Sequence, residues 1–422
     1  MSSIHIQGGA RLAGDITVSG SKNAALPIMA AALLTAEPMI LENVPDIEDV
    51  HTMSEVLRGL GAVVEVDHNF NPRRMLIQAS ELTSLRAPAE HVGKLRASFT
   101  VVGPLLARGG EAHSPAPGGD VLGYRPIDMH IKGFQALGAE ISQAGGIYSC
   151  VARKLTGTKI FLDYPSVTGT ENVLMAAVLA EGHTTIKNAA PEPEVIDLID
   201  CLNFMGAKIQ RVGVNQLEIE GVKQLHGCRY RVIPDRIEAG TLAIAAAATG
   251  GEVTLERVAC DHLEAVCEKL MEVGVEVTQR WDSLFVRAKG GIRPTVLTTF
   301  PYPGFPTDLQ APFGALLTQA AGESLIHEIL YNDRLLYLSE IAKMGSHAKM
   351  EGQFATIYGP SRLHGSTVQA LDIRSGAALI IAGLVAEGET IITDRQHIER
   401  GYTDVVAKLS QLGALISDRD PH

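Results

Sequence analysis

The sequence is poor in cysteine, in basic side chains relative to acidic ones, and in long apolar runs, and each shortage closes off a class of protein. Its five cysteines, Cys150, Cys201, Cys228, Cys260 and Cys267, are an odd number with no C-x-x-C pair in 422 residues, which argues against a disulfide framework and for buried thiols in a reducing compartment. The longest apolar stretches, such as Leu26 to Leu34 and Ala377 to Gly383, stop well short of the ~18 residues of a membrane span. No basic segment followed by an apolar one opens the chain, so a cytoplasmic protein without membrane insertion is expected. Lys and Arg total 36 against 48 Asp and Glu, and the net charge of −12 argues against sequence-independent binding to nucleic acid or acidic lipid. Any anionic ligand must therefore meet basic groups gathered locally. Catalytic signatures are missing too. No G-x-G-x-x-G follows a strand-like run, Gly93-Lys94 lacks the flanking residues of a phosphate-binding loop, H-E-x-x-H and G-x-S-x-G do not occur, and the 14 histidines are scattered.

What is present is globular and repetitive. Hydrophobic residues make up 46% and charged ones 20%, and the length suits two or three domains at roughly 100–200 residues each. One phrase, an apolar helix tail ending in glycine followed by an alternating strand, occurs six times, with its glycine at Gly61, Gly138, Gly206, Gly274, Gly345 and Gly413. Successive glycines stand 77, 68, 68, 71 and 68 residues apart. In the copy that ends LMEVGVEVT, for instance, Leu263 and Val266 just upstream share a helical face with Leu270 and Val273, Gly274 is a left-handed C-cap, and Val275 and Val277 begin a strand of period two. Upstream, five of the six copies carry a small-residue helix running into a strand, as in AAVLAEGHTTIKNA. Such a period fits either a solenoid or closed packing of repeats. Helices apolar on all sides, such as Leu242 to Ala248, favour the closed form, because they must be wholly buried.

The second copy departs from the others through a Gly- and Pro-rich insertion from Ala107 to Asp128, the mark of a working loop. Ser19-Gly-Ser-Lys-Asn23 leads into a helix read as Ala24 to Leu34, with Pro27 in its first turn, so Lys22 and free amides could form an anion site; an ordinary capped helix with a solvated lysine is the alternative. Arg96, Arg125, Arg334, Arg374 and Arg400 stand beside Gly, Asp or Asn rather than on charged helical faces, and exposed arginines are commonly only solvated. Asp308, in Pro303-Gly-Phe-Pro-Thr-Asp-Leu-Gln310, is either an N-cap or a general base.

These residues fall into longer motifs: Ser19–Asn23, Pro117-Gly-Gly-Asp-Val-Leu-Gly-Tyr-Arg-Pro-Ile-Asp128, Tyr230-Arg-Val-Ile-Pro-Asp-Arg-Ile-Glu238, Pro303–Gln310, Asp372-Ile-Arg374 and His397-Ile-Glu-Arg-Gly-Tyr402. In order and over essentially the whole chain they resemble the UDP-N-acetylglucosamine enolpyruvyl transferases, of the EPSP synthase or enolpyruvyl transferase family. The resemblance implies an α/β fold of two inside-out barrels, each of three ~70-residue repeats with helices inside and sheets outside. One domain would comprise residues 1–21 and 235–422 and the other residues 22–234, with the site in the cleft at the two crossovers and residues 112–123 as a lid. The implied reaction moves the enolpyruvyl group of phosphoenolpyruvate onto the 3-hydroxyl of UDP-N-acetylglucosamine and releases phosphate, the first committed step of peptidoglycan synthesis. No metal or organic cofactor is implied, since arginine and lysine supply the charge.

Carried over residue by residue, Lys22, Arg125 and Arg400 would hold the phosphate and carboxylate of phosphoenolpyruvate, with Arg334 and Arg374 adding positive charge for an anionic tetrahedral intermediate. Asn23, Asp308 and Leu330 would contact the sugar nucleotide, with Asp308 as the base at the hydroxyl and Asp372 beside the substrate. Arg96, Arg125, Pro126, Ile127, Asp128, Met129, Ser166, Val167 and Thr168 would line the uridine and diphosphate pocket. Two positions depart from the common pattern. Asp120 stands where the family most often has the cysteine that delivers a proton to the phosphoenolpyruvate methylene. A carboxylic acid of pKa ~3.9 replaces a thiol of ~8.5, so Asp120 needs a raised pKa or a proton shared with phosphate, and fosfomycin, which alkylates that thiol, loses its target. Tyr164 stands where relatives often have a lysine near the diphosphate, which leaves room for a paralogous transferase acting on another nucleotide or sugar.

Overall fold

A computed structural model describes residues 2–67, 73–119 and 126–419. The six spaced glycines all take a left-handed backbone, with φ from 96° at Gly413 to 103° at Gly61, where any Cβ would be strained. Each follows a helix: Glu48–Gly59, Asp128–Ala136, Pro193–Phe204, Glu264–Glu272, Tyr337–Ala342 and Val405–Gln411. A strand begins within a few residues. The turn satisfies the last helical carbonyls, as where Gly206 N–H donates to Asn203 (3.0 Å) and Ala207 N–H to Leu202 (2.9 Å).

Among the described residues the strands form six sheets, five of four strands and one of three. In the four-stranded sheets a short edge strand runs parallel to the strand after a buried helix, and antiparallel pairing completes the sheet. Thus Lys159–Phe161 lies parallel to His183–Lys187, which pairs with Gln216–Glu220, and that strand with Lys208–Val212. The three-stranded sheet, Glu111–Pro115, Ile147–Val151 and Glu140–Ala144, has a single parallel bridge from Arg86 to His113 where the others have an edge strand. Three sheets recruit strands from far along the chain: Ser3–Gln7 sits antiparallel between Glu389–Thr393 and Leu415–Arg419, Ala13–Thr17 lies parallel to Glu252–Glu256, and Arg229–Arg231 lies parallel to Met39–Glu42.

The described residues separate into two units: residues up to Ser19 with those from Pro234 onward, and Gly20–Gly119 with residues 126 to Ile233. Each has its own apolar core. In the first, helices Arg236–Ala248, Thr307–Leu317 and Ile373–Val385 pack on one another, and the run from Ile237 to Ala247 is buried on every side. Close packing rests on small residues. A Cβ on Gly240 would lie 2.3 Å from Leu309 Cδ1, and one on Gly314 only 1.9 Å from Tyr337 Oη. In the second unit Lys22–Ala31 and Val102–Gly109 each pack against Val167–Ala177.

The Ser19–Asn23 segment corrects the expected helix. The α-helix starts at Lys22, ends at Ala31 and tightens into a 3-10 turn over Ala32–Leu34. Pro27 is therefore the sixth helical residue, not part of the first turn, and cannot donate to the carbonyl of Asn23. The helix absorbs this loss because it is buried along its whole length, where packing outweighs propensity. No helix is long and apolar enough to cross a membrane among the described residues.

Candidate active site

In the first unit the Pro303–Gln310 turn delivers Asp308 to the second position of helix Thr307–Leu317. The residue at the N-cap is Pro306, so the carboxylate does not cap the helix. It is held by two arginines from elsewhere in the chain: Arg334 Nη2 donates to Oδ1 at 2.7 Å and Arg374 Nη2 to Oδ2 at 2.8 Å. Both guanidiniums are buried, Arg334 at 4% and Arg374 at 5% exposure, so neither is the solvated surface arginine that base composition would suggest. Burial is the largest single influence and opposes their charge, but Asp308 together with the other acidic groups near each, Asp372 for Arg334 and Tyr402 and Asp235 for Arg374, holds both pKa values above the ordinary arginine range. Tyr331 lies 5.7 Å from the Arg334 guanidinium and Tyr402 5.4 Å from that of Arg374, ring face to cation.

The surrounding elements fix this trio. Asp372 caps helix Ile373–Val385, accepting from Arg374 N–H (2.7 Å) and Ser375 N–H (3.1 Å), and its own N–H donates to Ser375 Oγ at 2.8 Å. Glu328, wholly buried, accepts from Thr299 (3.0 Å), from Thr307 beside Asp308 (2.8 Å) and from the backbone of Leu330 (2.9 Å). It thereby ties the Asp308 turn to the Leu330 segment. Arg400 ends the short helix Gln396–Glu399, and the next residue, Gly401, would place a Cβ 3.6 Å from Arg374 Nη1. Nearby, Asp235 caps helix Arg236–Ala248, its N–H donates to the Ser19 carbonyl (2.8 Å), and buried Glu238 pairs with Lys408, which also donates to Ser19 Oγ at 2.6 Å.

In the second unit Ser21 caps helix Lys22–Ala31 by accepting from Ala24 N–H. Lys22 is 8% exposed and its Nζ lies 2.6 Å from Asp49 Oδ2, a carboxylate 2% exposed. The solvated-lysine alternative is thus not what the chain adopts; Asn23 follows it, half-buried. Arg96 donates to the Pro126 carbonyl at 2.8 Å, and Gly119 packs on it, a Cβ there falling 3.2 Å from Arg96 Cβ. Arg96 therefore holds both flanks of the segment that contains Asp120 and Arg125, two expected site residues that lie outside the described residues.

Beyond that segment, half-buried Ile127 precedes helix Asp128–Ala136, and Asp128 Oδ1 accepts from Tyr164 Oη at 2.6 Å and from Met129 N–H at 3.0 Å. Met129 is buried, its sulfur accepting from Asp163 N–H. Ser166 caps helix Val167–Ala177, and Thr168 Oγ1 lies 3.3 Å from His130 Nε2. The His130 Nδ1 faces Asn172 Nδ2 at 2.9 Å, and the same amide nitrogen donates to the Phe99 carbonyl while Asn172 Oδ1 accepts from Gly103 N–H. Asn172 therefore donates to Nδ1, and the imidazole presents Nε2–H to Thr168. Burial first, and then the charge of Arg96, push the His130 pKa down to about 3, so the ring is neutral at physiological pH.

Sequence reasoning missed Asp49, His130, Glu328 and, as a functional group, Tyr402. Tyr402 ends a motif that was singled out, and its pairing with Arg374 was the missing signal. Asp49 and Glu328 sit in no motif, and only the fold brings them to their partners.

A family model described as EPSP synthase (3-phosphoshikimate 1-carboxyvinyltransferase) matches residues 6–409. The chain is 50% identical over 413 residues to the UDP-N-acetylglucosamine 1-carboxyvinyltransferase 2 of Carboxydothermus hydrogenoformans, covering 97% of this chain and 98% of that one. It is 48% identical to the UDP-N-acetylglucosamine 1-carboxyvinyltransferase 1 of Caldanaerobacter subterraneus, over 96% of each chain. Among solved structures, the enolpyruvyl transferase NikO from Streptomyces tendae superimposes with a TM-score of 0.89 at 26% identity, covering 99% of this chain and 98% of that one. The fold is the two-domain α/β fold of these transferases, and the chain belongs to the EPSP synthase family of enolpyruvyl transferases.

Proposed function

We propose that this chain transfers the enolpyruvyl group of phosphoenolpyruvate to the 3-hydroxyl of UDP-N-acetylglucosamine, releasing phosphate in peptidoglycan precursor synthesis. The observation that carries the reading is the 50% identity to a UDP-N-acetylglucosamine 1-carboxyvinyltransferase, maintained over 97% of the chain.

The chemistry asks for a base at an alcohol, a proton donor at a methylene carbon, and cations around two anionic substrates. Asp308 is the base. Each of its oxygens accepts a guanidinium N–H, and the side chain keeps 27% exposure, so a substrate hydroxyl can reach it. As the 3-hydroxyl oxygen adds to C2 of phosphoenolpyruvate, its proton passes to Asp308 and the methylene takes a proton from Asp120. The resulting tetrahedral intermediate then loses a proton and expels phosphate. Lys22, Arg125 and Arg400 hold phosphate and carboxylate. Arg334 and Arg374, fixed in advance by Asp308, need no reorganisation as negative charge builds. Arg96, Pro126 to Met129 and Ser166 to Thr168 receive the nucleotide, with Asn23, Leu330 and Asp372 toward the sugar. The six sheets are read as six repeats, three in each of two barrels. The cytoplasm suits a chain whose five cysteines all remain thiols.

A second reading, transfer to another nucleotide or sugar, rests on Tyr164, whose hydroxyl engages Asp128 where a cation is commonly found. Product analysis separates the two. Incubation with phosphoenolpyruvate and UDP-N-acetylglucosamine is expected to yield a vinyl ether on the sugar 3-oxygen, seen by proton NMR and mass spectrometry; unchanged sugar nucleotide under conditions where the protein is folded would overturn the assignment.

A further inference from the structure

Two helices of the second unit hold a chain of hydrogen bonds whose direction is fixed from one end. Helices Asp128–Ala136 and Val167–Ala177 approach so closely that a Cβ on Gly133 would lie 2.1 Å from Val173 Cγ2. On the second of them, Asn172 is held by two backbone groups that cannot exchange roles. Gly103 N–H donates to its Oδ1 at 2.6 Å, and the Phe99 carbonyl accepts from its Nδ2 at 2.9 Å. The same Nδ2 lies 2.9 Å from His130 Nδ1 on the facing helix. An amide nitrogen only donates, so Nδ1 is the acceptor and the imidazole proton sits on Nε2.

The chain ends at the Thr168 hydroxyl, whose oxygen lies 3.3 Å from His130 Nε2. Because Nε2 carries the proton, Thr168 Oγ1 accepts in this contact and its own proton points elsewhere. Among the described residues that hydroxyl has no other hydrogen-bond partner. His130 is 2% exposed, with the Phe99 ring edge-on at 5.3 Å, so packing as well as hydrogen bonding holds the imidazole in place. An imidazolium would set an N–H against the Asn172 amide, and burial, which brings the His130 pKa down to about 3, keeps that form out at neutral pH.

We propose that His130 and Asn172 are positioning residues of the nucleotide site, holding the Thr168 oxygen so that its O–H is presented as a donor to the diphosphate. This rests on the reading of Ser166 to Thr168 as part of the nucleotide pocket, and it holds whatever sugar follows the diphosphate. Ionised phosphate oxygens only accept. A hydroxyl whose oxygen is already engaged by an N–H meets them in the one productive sense, so the polarity is set before the ligand arrives.

Two measurements on the full chain test this. Long-range proton–nitrogen NMR of the isotope-labelled chain, with the His130 signals assigned by their loss in His130→Gln, is expected to show the Nε2–H tautomer at neutral pH. An Nδ1–H tautomer or an imidazolium would overturn the proposal. Calorimetric titration with UDP then reads the diphosphate contact without any sugar. Thr168→Val is expected to weaken UDP about tenfold, the effect of losing a hydrogen bond to a charged group, and Thr168→Ser to keep the parent affinity. His130→Phe is expected to weaken UDP when Thr168 is present and to add nothing to Thr168→Val, because it acts through that hydroxyl. Additive losses, as from a general loosening of the two helices, or equal binding by the parent and Thr168→Val, would overturn this proposal alone. UDP that fails to bind the folded parent would overturn the nucleotide reading of the pocket as well. Should His130→Phe fail to fold, the tautomer and the Thr168 variants still decide it.

Discussion

Removing the Asp308 carboxylate tests how the arginine pair is maintained. In Asp308→Ala, Arg334 and Arg374 would remain at 4% and 5% exposure with their shared counter-charge gone. Truncating one partner of a buried ion pair costs about 3–5 kcal/mol, and because the Asp308 side chain is itself 27% exposed the low end, about 3 kcal/mol, applies. For a unit of about 150–250 residues, ~2–4 °C per kcal/mol gives a fall of about 6–12 °C in the melting temperature of the first unit. Circular dichroism melts and urea unfolding at fixed protein concentration would read it, each unit's transition being fitted separately. Apolar replacement of all three residues, Asp308→Leu with Arg334→Met and Arg374→Met, is expected to recover most of the loss while remaining inactive, since no charge is then buried. A shift of a degree or less in Asp308→Ala would refute the reasoning and leave Asp308 as a base with no structural role.

Asp197, hydrogen-bonded to Tyr230 Oη at 2.6 Å, has its pKa raised by burial from 3.8 to about 7. The folded chain therefore holds a proton that the unfolded chain has lost between about pH 4 and 7, so this group's contribution to stability is full below that window and falls as pH rises through it. Asp197→Asn is expected to flatten the urea-midpoint slope between pH 5 and 7; parent and variant curves of equal slope would sink the assignment. For Asp120, we expect fosfomycin to leave the intact mass unchanged and Asp120→Cys to acquire one adduct and an alkaline activity limb at higher pH, because a thiol keeps its proton several units higher than a carboxylic acid. Adduct formation on the parent, or identical pH profiles, would contradict this.

Much of the fold could be read in the sequence because its signals are local. A glycine with φ near 100° after an apolar helix is legible wherever it occurs, and so is a helix like Ile237 to Ala247 whose uniform apolarity requires burial. Pairings over long separations were not legible. Nothing in Ser3–Gln7 announces that it fits between two C-terminal strands, and nothing near Asp308 points to Arg334 and Arg374, 26 and 66 residues away. The candidate site divided in the same way. Lys22 and Asp308 stood out within their motifs, but that Lys22 would be buried on Asp49 and Asp308 clasped by two arginines depended on tertiary packing. His130 and Glu328 were invisible because their role is to orient other groups, which leaves no motif.

Phosphate release with phosphoenolpyruvate and either of two acceptors tests the central claim most directly. The account requires catalytic release with UDP-N-acetylglucosamine, near-background release with shikimate 3-phosphate, and loss of the first activity in Asp308→Ala. Turnover with shikimate 3-phosphate and none with the sugar nucleotide would contradict it.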